Sequence, residues 1–158
     1  GGLAFAAGAG PSDAQIAHIA YTAGDLDIKA AELALEKSQS KTVRAFADDM
    51  VRDHKAVNDK ALALVKKLNV TPEDNDTSKA LAKQAAEKRA ELAKLSGPAF
   101  DKAYVDNEVA FHKTVNDALR TTLIPSSSNA ELKSLLETGL KVFEGHLKHA
   151  EMLADGKH

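Results

Sequence analysis

The spacing of apolar residues constrains the fold of this chain more than any other feature of its sequence. Along most of the 158 residues, apolar side chains recur at steps of three and four, which places them on one face of an α-helix. Four such stripes, separated by short polar or proline-containing links, predict helices over 13–38, 41–69, 99–123 and 129–155. A weaker amphipathic stretch over 79–95 predicts an additional helical segment between the second and third stripes. The pattern is typical of an all-α, up-and-down four-helix bundle.

The composition agrees with helices and excludes several other classes of protein. The chain has five Phe, two Tyr and no Trp, whereas a β-sandwich needs many aromatic and β-branched residues. Its net charge of −2 leaves no cationic surplus for phosphates, so we expect no nucleic-acid partner. Because cysteine is absent, thiolate catalysis, zinc–thiolate sites and disulfides are excluded. No apolar run reaches the ~20 residues that cross a bilayer, so we expect no integral membrane span.

The two ends of the chain are expected to lie outside the bundle. We expect residues 1–12 to form a flexible leader, residues 13–155 a single bundle domain and residues 156–158 a short tail. Within the leader, LAFAA at residues 3–7 resembles the end of a secretory signal with its small-residue cleavage region. An ordinary leader rich in Ala and Gly is the alternative interpretation.

Two of the predicted helices begin with a recognisable motif. Ser12 with Gln15, and Ser128 with Glu131, have the spacing of a capping box. In that motif, each of the two side chains accepts a hydrogen bond from the backbone of the other residue. The motif predicts the first residues of the first and fourth bundle helices.

Ionisable residues interrupt the apolar stripes of all four predicted bundle helices. The interrupting residue is Asp27 on the first helix, His54 on the second and His146 on the fourth. The third helix contributes Glu108 and His112, which stand one above the other at i and i+4. A buried charge is costly unless it is paired or bound to a metal ion, so their presence on every helix needs an explanation.

These five residues are expected to lie at one height in the bundle. Counted from the link between the first two helices, Asp27 lies 12 positions back and His54 15 positions forward, which differ by less than one turn. Counted from the turn before the fourth helix, His112, Glu108 and His146 lie 14, 18 and 20 positions away. If the two hairpins are aligned, all five side chains meet in a mid-bundle zone.

An imidazole-rich set with carboxylates is typical of a transition-metal site. Zn, Cu, Fe or Mn suits such ligands, whereas Ca and Mg prefer shells made entirely of oxygen. We therefore expect His54, His112 and His146 to bind a metal ion together with Asp27 or Glu108. The alternative is a buried network of hydrogen bonds that fixes the register of the helices and binds no metal.

Three further residues lie near this predicted zone. Met50 precedes His54 by one turn, where it is either a core residue or a soft copper ligand. Asp53 and His149 are expected to contact the ligands or solvent and not the ion itself. Because nothing in the sequence indicates a substrate cleft, the pattern favours a binding protein over an enzyme.

Four segments of the chain resemble one bacterial family. VRAFADDMVRDHKAVNDKALALVKKLNV, from Val43 to Val70, is similar to the signature of the family known as domain of unknown function 4142. FDKAYVDNEVAFHK, from Phe100 to Lys113, is similar to its second histidine motif. ELKSLLETGLKVFEGHLKHAEML, from Glu131 to Leu153, is similar to its closing helix. GDLDIKAAELA, from Gly24 to Ala34, is similar to its first-helix motif, with Asp27 where Glu is more usual.

The resemblance implies a fold, a location and a set of ligands. Members of the family resemble ferritin-like bundles and are often described as outer-membrane or periplasmic proteins, so we expect a periplasmic or secreted protein. His54, His112 and His146 carry over as site residues, with Asp27 as their acidic partner. A diiron oxidase is disfavoured, because Glu108 and His112 form one Glu-His pair at the wrong spacing and no second copy exists. The expected role is transition-metal handling or envelope stress, and the alternative is a structural or interaction bundle without metal.

Overall fold

A computed structural model describes residue 3 and residues 10–156, and within them all regular structure is helical. The all-α fold predicted from the sequence is therefore confirmed. The five long helices are α1 (Asp13–Lys37), α2 (Lys41–Lys67), α3 (Asp76–Ala93), α4 (Gly97–Ala118) and α5 (Ala130–Ala154). None of the helices in this described part of the chain is long and apolar enough to cross a membrane.

Four of these helices form the bundle, and α3 packs on its outside. The short links make hairpins of α1 with α2 and of α4 with α5, and the hairpins meet where α2 faces α5 and α1 faces α4. The additional segment α3 lies along α1, with His18 Nδ1 2.9 Å from Ser78 Oγ near one end and Lys37 Nζ donating to the Ala93 carbonyl near the other. Because α3 returns the chain along the bundle, α2 and α4 run in the same direction.

The two predicted helix starts have different outcomes. The capping box at the start of α1 is confirmed, since Gln15 N–H donates to Ser12 Oγ at 3.2 Å and Ser12 N–H donates to Gln15 Oε1 at 3.0 Å. The box predicted at Ser128 is wrong, because the Asn129 side chain caps α5. The Ser128 N–H instead donates to a carboxylate oxygen of Asp13 at 2.8 Å, which ties the start of α5 to the start of α1. Asn serves as well as Ser at this position.

The third bundle helix does not run unbroken to residue 123 as predicted. Regular α-helix ends at Ala118, and residues 119–123 form a wide π-helical turn in which Ile124 N–H donates to the Leu119 carbonyl. Pro125 follows directly and has no N–H with which to continue the normal helical ladder. The wide turn carries the chain to the start of α5.

The apolar core is divided along the bundle axis. One group of buried residues, the link-end cluster, lies toward the α1–α2 link and includes Ala30, Ala31, Ala34, Val43, Phe46, Ala47, Met50, Leu92, Phe100, Tyr104, Val105 and Ala150. A second group, the turn-end cluster, lies toward the α4–α5 turn and consists of Ile16, Ile19, Ala118, Leu119, Leu123, Leu132 and Leu136. Between the two clusters lies a layer of polar side chains.

Some expectations concern the margins of the core and the chain ends. The apolar stripes predict that four further side chains are buried, but each is only half-buried: Leu64, Val115, Leu135 and Phe143. Of these, Leu64, Val115 and Phe143 lie at the edge of the turn-end cluster. Of the predicted leader, residues 1, 2 and 4–9 lie outside the described residues, and so do residues 157 and 158 of the tail. Leu3 packs against the turn-end cluster.

Candidate metal centre

The polar layer consists of the five ionisable residues that interrupt the apolar stripes. Asp27 comes from α1, His54 from α2, Glu108 and His112 from α4, and His146 from α5. Each residue is at most 7% exposed. The helices place them there because each occupies a position on the inward face of its own amphipathic helix. The structure thus brings together all five residues that the sequence analysis predicted for the metal site.

Within the layer, the possible ligand atoms form two groups that share His112. One nitrogen each from His54, His112 and His146 lie within 4.8 Å of one another, and the three ring centroids are 5.3–5.8 Å apart. One ligand atom each from Asp27, Glu108 and His112 also lie within 4.8 Å of one another. The two groups occupy the same space, so they describe one site with a nitrogen-rich side and a carboxylate side.

Asp27 links the two sides of the site. Its Oδ2 atom lies 2.8 Å from His54 Nε2 and 3.9 Å from His112 Nε2. The short contact with His54 lacks the alignment of a hydrogen bond, so neither atom has a hydrogen-bond partner in the part of the chain that is described. Glu108 also belongs to the carboxylate side, with its Oε2 3.3 Å from His112 Nδ1. The carboxylates therefore flank the imidazoles without satisfying them.

Hydrogen bonds fix the orientation of two of the imidazoles. His112 Nδ1 lies 2.9 Å from the backbone carbonyl of Glu108, which can only accept, so Nδ1 donates and the lone pair is on Nε2. His146 Nε2 donates to Asp53 Oδ2 at 2.8 Å in the same way, which leaves the lone pair on Nδ1. Arg52 Nε in turn donates to Asp53 Oδ1 at 2.9 Å. Outer hydrogen bonds of this kind hold histidine ligands in metalloproteins.

The inner atoms of the layer are buried and have no hydrogen-bond partner among the described residues. Leaving such a group unsatisfied costs roughly 1–3 kcal/mol, more when it is charged. A cluster of them within one layer indicates that the site is built to contact something further. These atoms are Asp27 Oδ2, His54 Nδ1 and Nε2, Glu108 Oε1 and Oε2, His112 Nε2 and His146 Nδ1.

Burial and mutual repulsion set the charges of the acidic groups. Burial raises the pKa of Asp27, but the neighbouring His54 and His112 outweigh it, and the pKa of Asp27 lies well below its ordinary value. Burial raises the pKa of Glu108 well above its ordinary value, and the charge of Asp27 raises it further. Burial therefore favours the neutral form of Glu108, whereas the neighbouring imidazoles favour the charged form of Asp27.

One imidazole of the site, that of His146, has a lowered pKa. Burial lowers the pKa of His146 to about 4, and although Asp53 opposes this effect, His54 and His112 add to it. A neutral imidazole keeps the lone pair that a metal ion needs, whereas a protonated one has lost it. His146 is thus ready to act as a ligand at neutral pH.

The three additional candidates have distinct surroundings. Asp53 contacts the site through its hydrogen bond to His146. Met50 is fully buried in the link-end cluster, and His149 packs edge-on against Phe46 with ring centroids 5.1 Å apart. Neither Met50 nor His149 belongs to the two groups of ligand atoms among the described residues. Each of the two therefore has packing contacts in the link-end region, and a role of either at the metal centre stays a prediction.

Two buried asparagines extend the polar layer and were not singled out from the sequence. Asn116, one turn after His112, is fully buried, and neither its Oδ1 nor its Nδ2 has a hydrogen-bond partner among the described residues. Asn58, one turn after His54, donates from Nδ2 to the Tyr21 carbonyl at 3.2 Å. A Cβ atom on Gly24 would lie 2.5 Å from Asn58 Oδ1, so a larger residue there would have to displace the Asn58 side chain. The i+4 spacing from each histidine was the signal that could have found both.

Comparison with known proteins identifies the family. A family model for DUF4142, a domain of unknown function, matches residues 2–153. The chain belongs to this family. The resemblance read from the four sequence segments is thereby confirmed. No curated protein matches the chain.

Solved structures share the fold at low sequence identity. A DUF305 fragment from Deinococcus radiodurans has a TM-score of 0.77 at 14% identity, covering 94% of this chain and 99% of that one. A DUF305 protein from Streptomyces coelicolor, described as secreted, has a TM-score of 0.74 at 12% identity, covering 90% and 93%. CopM in its Cu(II)-bound form has a TM-score of 0.70 at 15% identity, covering 94% and 100%.

Proposed function

We propose that this member of the DUF4142 family binds one transition-metal ion in its polar layer and acts in metal handling outside the cytoplasm. The ligands are drawn from His54, His112 and His146 on one side and Asp27 and Glu108 on the other. The observation that carries the proposal is the convergence of three imidazole nitrogens within 4.8 Å, from three helices. A stabilising polar core needs no such arrangement, since its groups would satisfy one another.

The chemistry of the donors fits a borderline metal ion. Imidazole nitrogen suits Cu, Zn, Fe and Mn in the order set by their general affinities, and the carboxylates supply charge. His54, His112 and His146 would supply the nitrogen ligands, since one nitrogen of each lies within 4.8 Å of the others. The ion would compensate the charge of Asp27 and release the proton that Glu108 holds when it ligates.

Two of the structural relatives inform the choice of metal and the location. Because CopM was solved with Cu(II), copper is the first ion to test in this chain. The Streptomyces relative is described as secreted, which agrees with a periplasmic or extracellular location and with the signal-like residues 3–7. Handling of metal in that compartment, with or without a role in envelope stress, is the function that these features support.

The test compares metal-dependent stabilisation in the wild type and two histidine variants. A ligand that binds only the native state adds RT ln(1 + [L]/Kd), or about 2.7 kcal/mol at 100 times Kd. We expect Cu(II) or Zn(II) to raise the Tm of the tag-free wild type, and His112→Ala to abolish this rise. His18→Ala should keep it, because His18 contacts Ser78 on α3 and not the polar layer.

The interpretation of these Tm shifts requires a folding control for the variant. Far-UV circular dichroism of His112→Ala must show the helical content of the wild type, so that lost binding is not lost structure. A wild type that shows no shift with Cu, Zn, Fe or Mn would contradict the proposal. A shift that survives His112→Ala but not His18→Ala would place the ion elsewhere.

A further inference from the structure

A cavity beside the metal centre has the character of a second binding site. It has a volume of about 230 Å³ and lies between α1, α3 and α4, with Asp27 in its wall. The cavity is smaller than the pockets of ~300–1,000 Å³ that hold drug-sized ligands, so its size fits a small molecule. One side of the wall is apolar and consists of Leu26, Ala30, Leu81, Ala85, Ala110 and Phe111.

The other side of the cavity presents a cation, Arg89 on α3, whose Nη1 is buried and has no hydrogen-bond partner among the described residues. Arg89 also makes no ion pair in that part of the chain, whereas Lys88 at the rim pairs with Glu91 at 3.2 Å. A guanidinium is always charged, and a buried N–H without an acceptor is costly. The position therefore favours an anion.

Neutral polar groups face Arg89 from the opposite helix. Asn107 and Thr114 on α4 line the cavity, and their side chains form no hydrogen bond with the described residues. Asp27, the acidic residue in the wall, places its Oδ2 2.8 Å from His54 on the side of the metal centre. The cavity thus combines a guanidinium whose Nη1 is unpartnered among the described residues, neutral polar groups and an apolar surface. Arg89 also borders a second groove, which Glu32 and Glu36 line, but it forms no ion pair with either in the described part of the chain.

We propose that this cavity binds a small organic carboxylate. The carboxylate group contacts Arg89, whose planar fork matches two carboxylate oxygens. The short hydrocarbon part of the ligand packs against the apolar wall. An inorganic oxyanion would use Arg89 and leave that wall unused, so the apolar side selects the organic acid.

The effect of this ligand on the metal centre rests on the proposed function. A divalent ion on the far side of Asp27 makes the local charge less negative, even when Glu108 has released its proton, and this strengthens the binding of a nearby anion. By linkage, the carboxylate then raises the affinity for the metal by the same factor. The cavity would therefore couple metal loading to the presence of a small acid.

The experiment titrates butyrate into the metal-free protein, followed by NMR of the arginine side-chain N–H signals and by calorimetry. We expect saturable binding that shifts the Arg89 signal, with inorganic phosphate binding more weakly. Loss of a charged hydrogen bond predicts that Arg89→Gln weakens binding at least about tenfold. Lys83→Gln is the matched control, because Lys83 is an exposed cation on α3 outside the cavity.

Three results would overturn the proposal. They are the absence of saturable butyrate binding, equal binding by Arg89→Gln and the wild type, or phosphate binding as tight as butyrate. If Arg89→Gln loses helical content, Arg89→Lys replaces it, and binding must still fall because the fork is lost. Repeating the titration with Zn(II) present should tighten butyrate binding. Since the first titration contains no metal, failure of the metal centre leaves its outcome unaffected.

Discussion

The link-end cluster and the polar layer lie one helical turn apart and are stabilised in different ways. On α2 the step from Met50 to His54 crosses the boundary, and on α4 the step from Tyr104 to Glu108 does. In the link-end cluster, the apolar side chains pack closely against one another, and this packing stabilises the fold. In the polar layer, buried atoms lack partners among the described residues. One turn of helix thus separates a region that stabilises the fold by packing from a region whose unpartnered polar atoms destabilise it.

The largest loss of stability should come from a substitution in the link-end cluster. Phe46 is fully buried and contacts Tyr104 edge-on, with ring centroids 6.2 Å apart. We expect Phe46→Ala to lower the free energy of unfolding by about 3–5 kcal/mol, since it removes a large core side chain. Urea denaturation with and without metal measures this loss. It should be the same in both conditions, and a loss that vanishes with metal would show that the two regions are coupled.

The sequence predicted the parts of this comparison that follow from local rules. Helix bounds came from a periodicity that each segment carries by itself. The common height of Asp27 and His54 came from a link so short that α1 and α2 must pack as neighbours. Because short links fix which helices are neighbours, an ionisable residue on the inward face of each helix was enough to predict the polar layer.

The parts that the sequence missed depend on contacts between distant segments. The position of α3 on the outside of α1 is set by contacts such as that of His18 with Ser78, which no local pattern reveals. At the start of α5, which Asn129 caps, the Asp13 carboxylate accepts from the N–H groups of both Ser128 and Asn129, a contact between segments far apart in the sequence. The cavity at Arg89 likewise exists only where α3 meets α4.

The next largest effect concerns pH and the polar layer. The pKa of His146 falls to about 4 in the folded protein, against about 6.5 in the unfolded chain, so the unfolded state binds more protons between these values. The contribution of His146 is therefore complete above pH 6.5 and is lost as the pH falls through 4, by up to about 3 kcal/mol.

Replacing His146 with Gln separates this contribution from that of Glu108. The raised pKa of Glu108 has the opposite effect, because it makes the protein less stable as the pH rises. His146→Gln keeps a donor for Asp53 but does not titrate. Urea denaturation of the metal-free proteins between pH 4 and 7 should show stability rising more steeply with pH in the wild type than in the variant. Parallel curves would mean that His146 titrates normally.

A smaller effect is expected at the outer edge of the polar layer. Asp53 accepts the hydrogen bond from His146 Nε2 at 2.8 Å and is about a quarter exposed. Asp53→Asn keeps the shape but removes the charge that orients and polarises the imidazole, and such changes weaken metal binding about 10- to 100-fold. Calorimetric titration with Cu(II) or Zn(II) gives the affinity. Asp49→Asn is the control, since Asp49 pairs with Arg52 on the same helix and contacts no histidine among the described residues. An equal loss of metal affinity in both variants would mean that general surface charge causes it.

The smallest effect tests where the boundary between the two regions runs. Met50 is fully buried one turn from His54, and its thioether is either packing or a soft ligand that moves to the ion. Since Met50 belongs to the link-end cluster and lies outside the groups of ligand atoms, we expect packing alone. Met50→Leu conserves volume and should cost less than about 1.5 kcal/mol of stability, with unchanged affinity for Cu(I) and Cu(II). A selective loss of Cu(I) affinity would instead assign Met50 to the metal centre, because thioether sulfur prefers Cu(I).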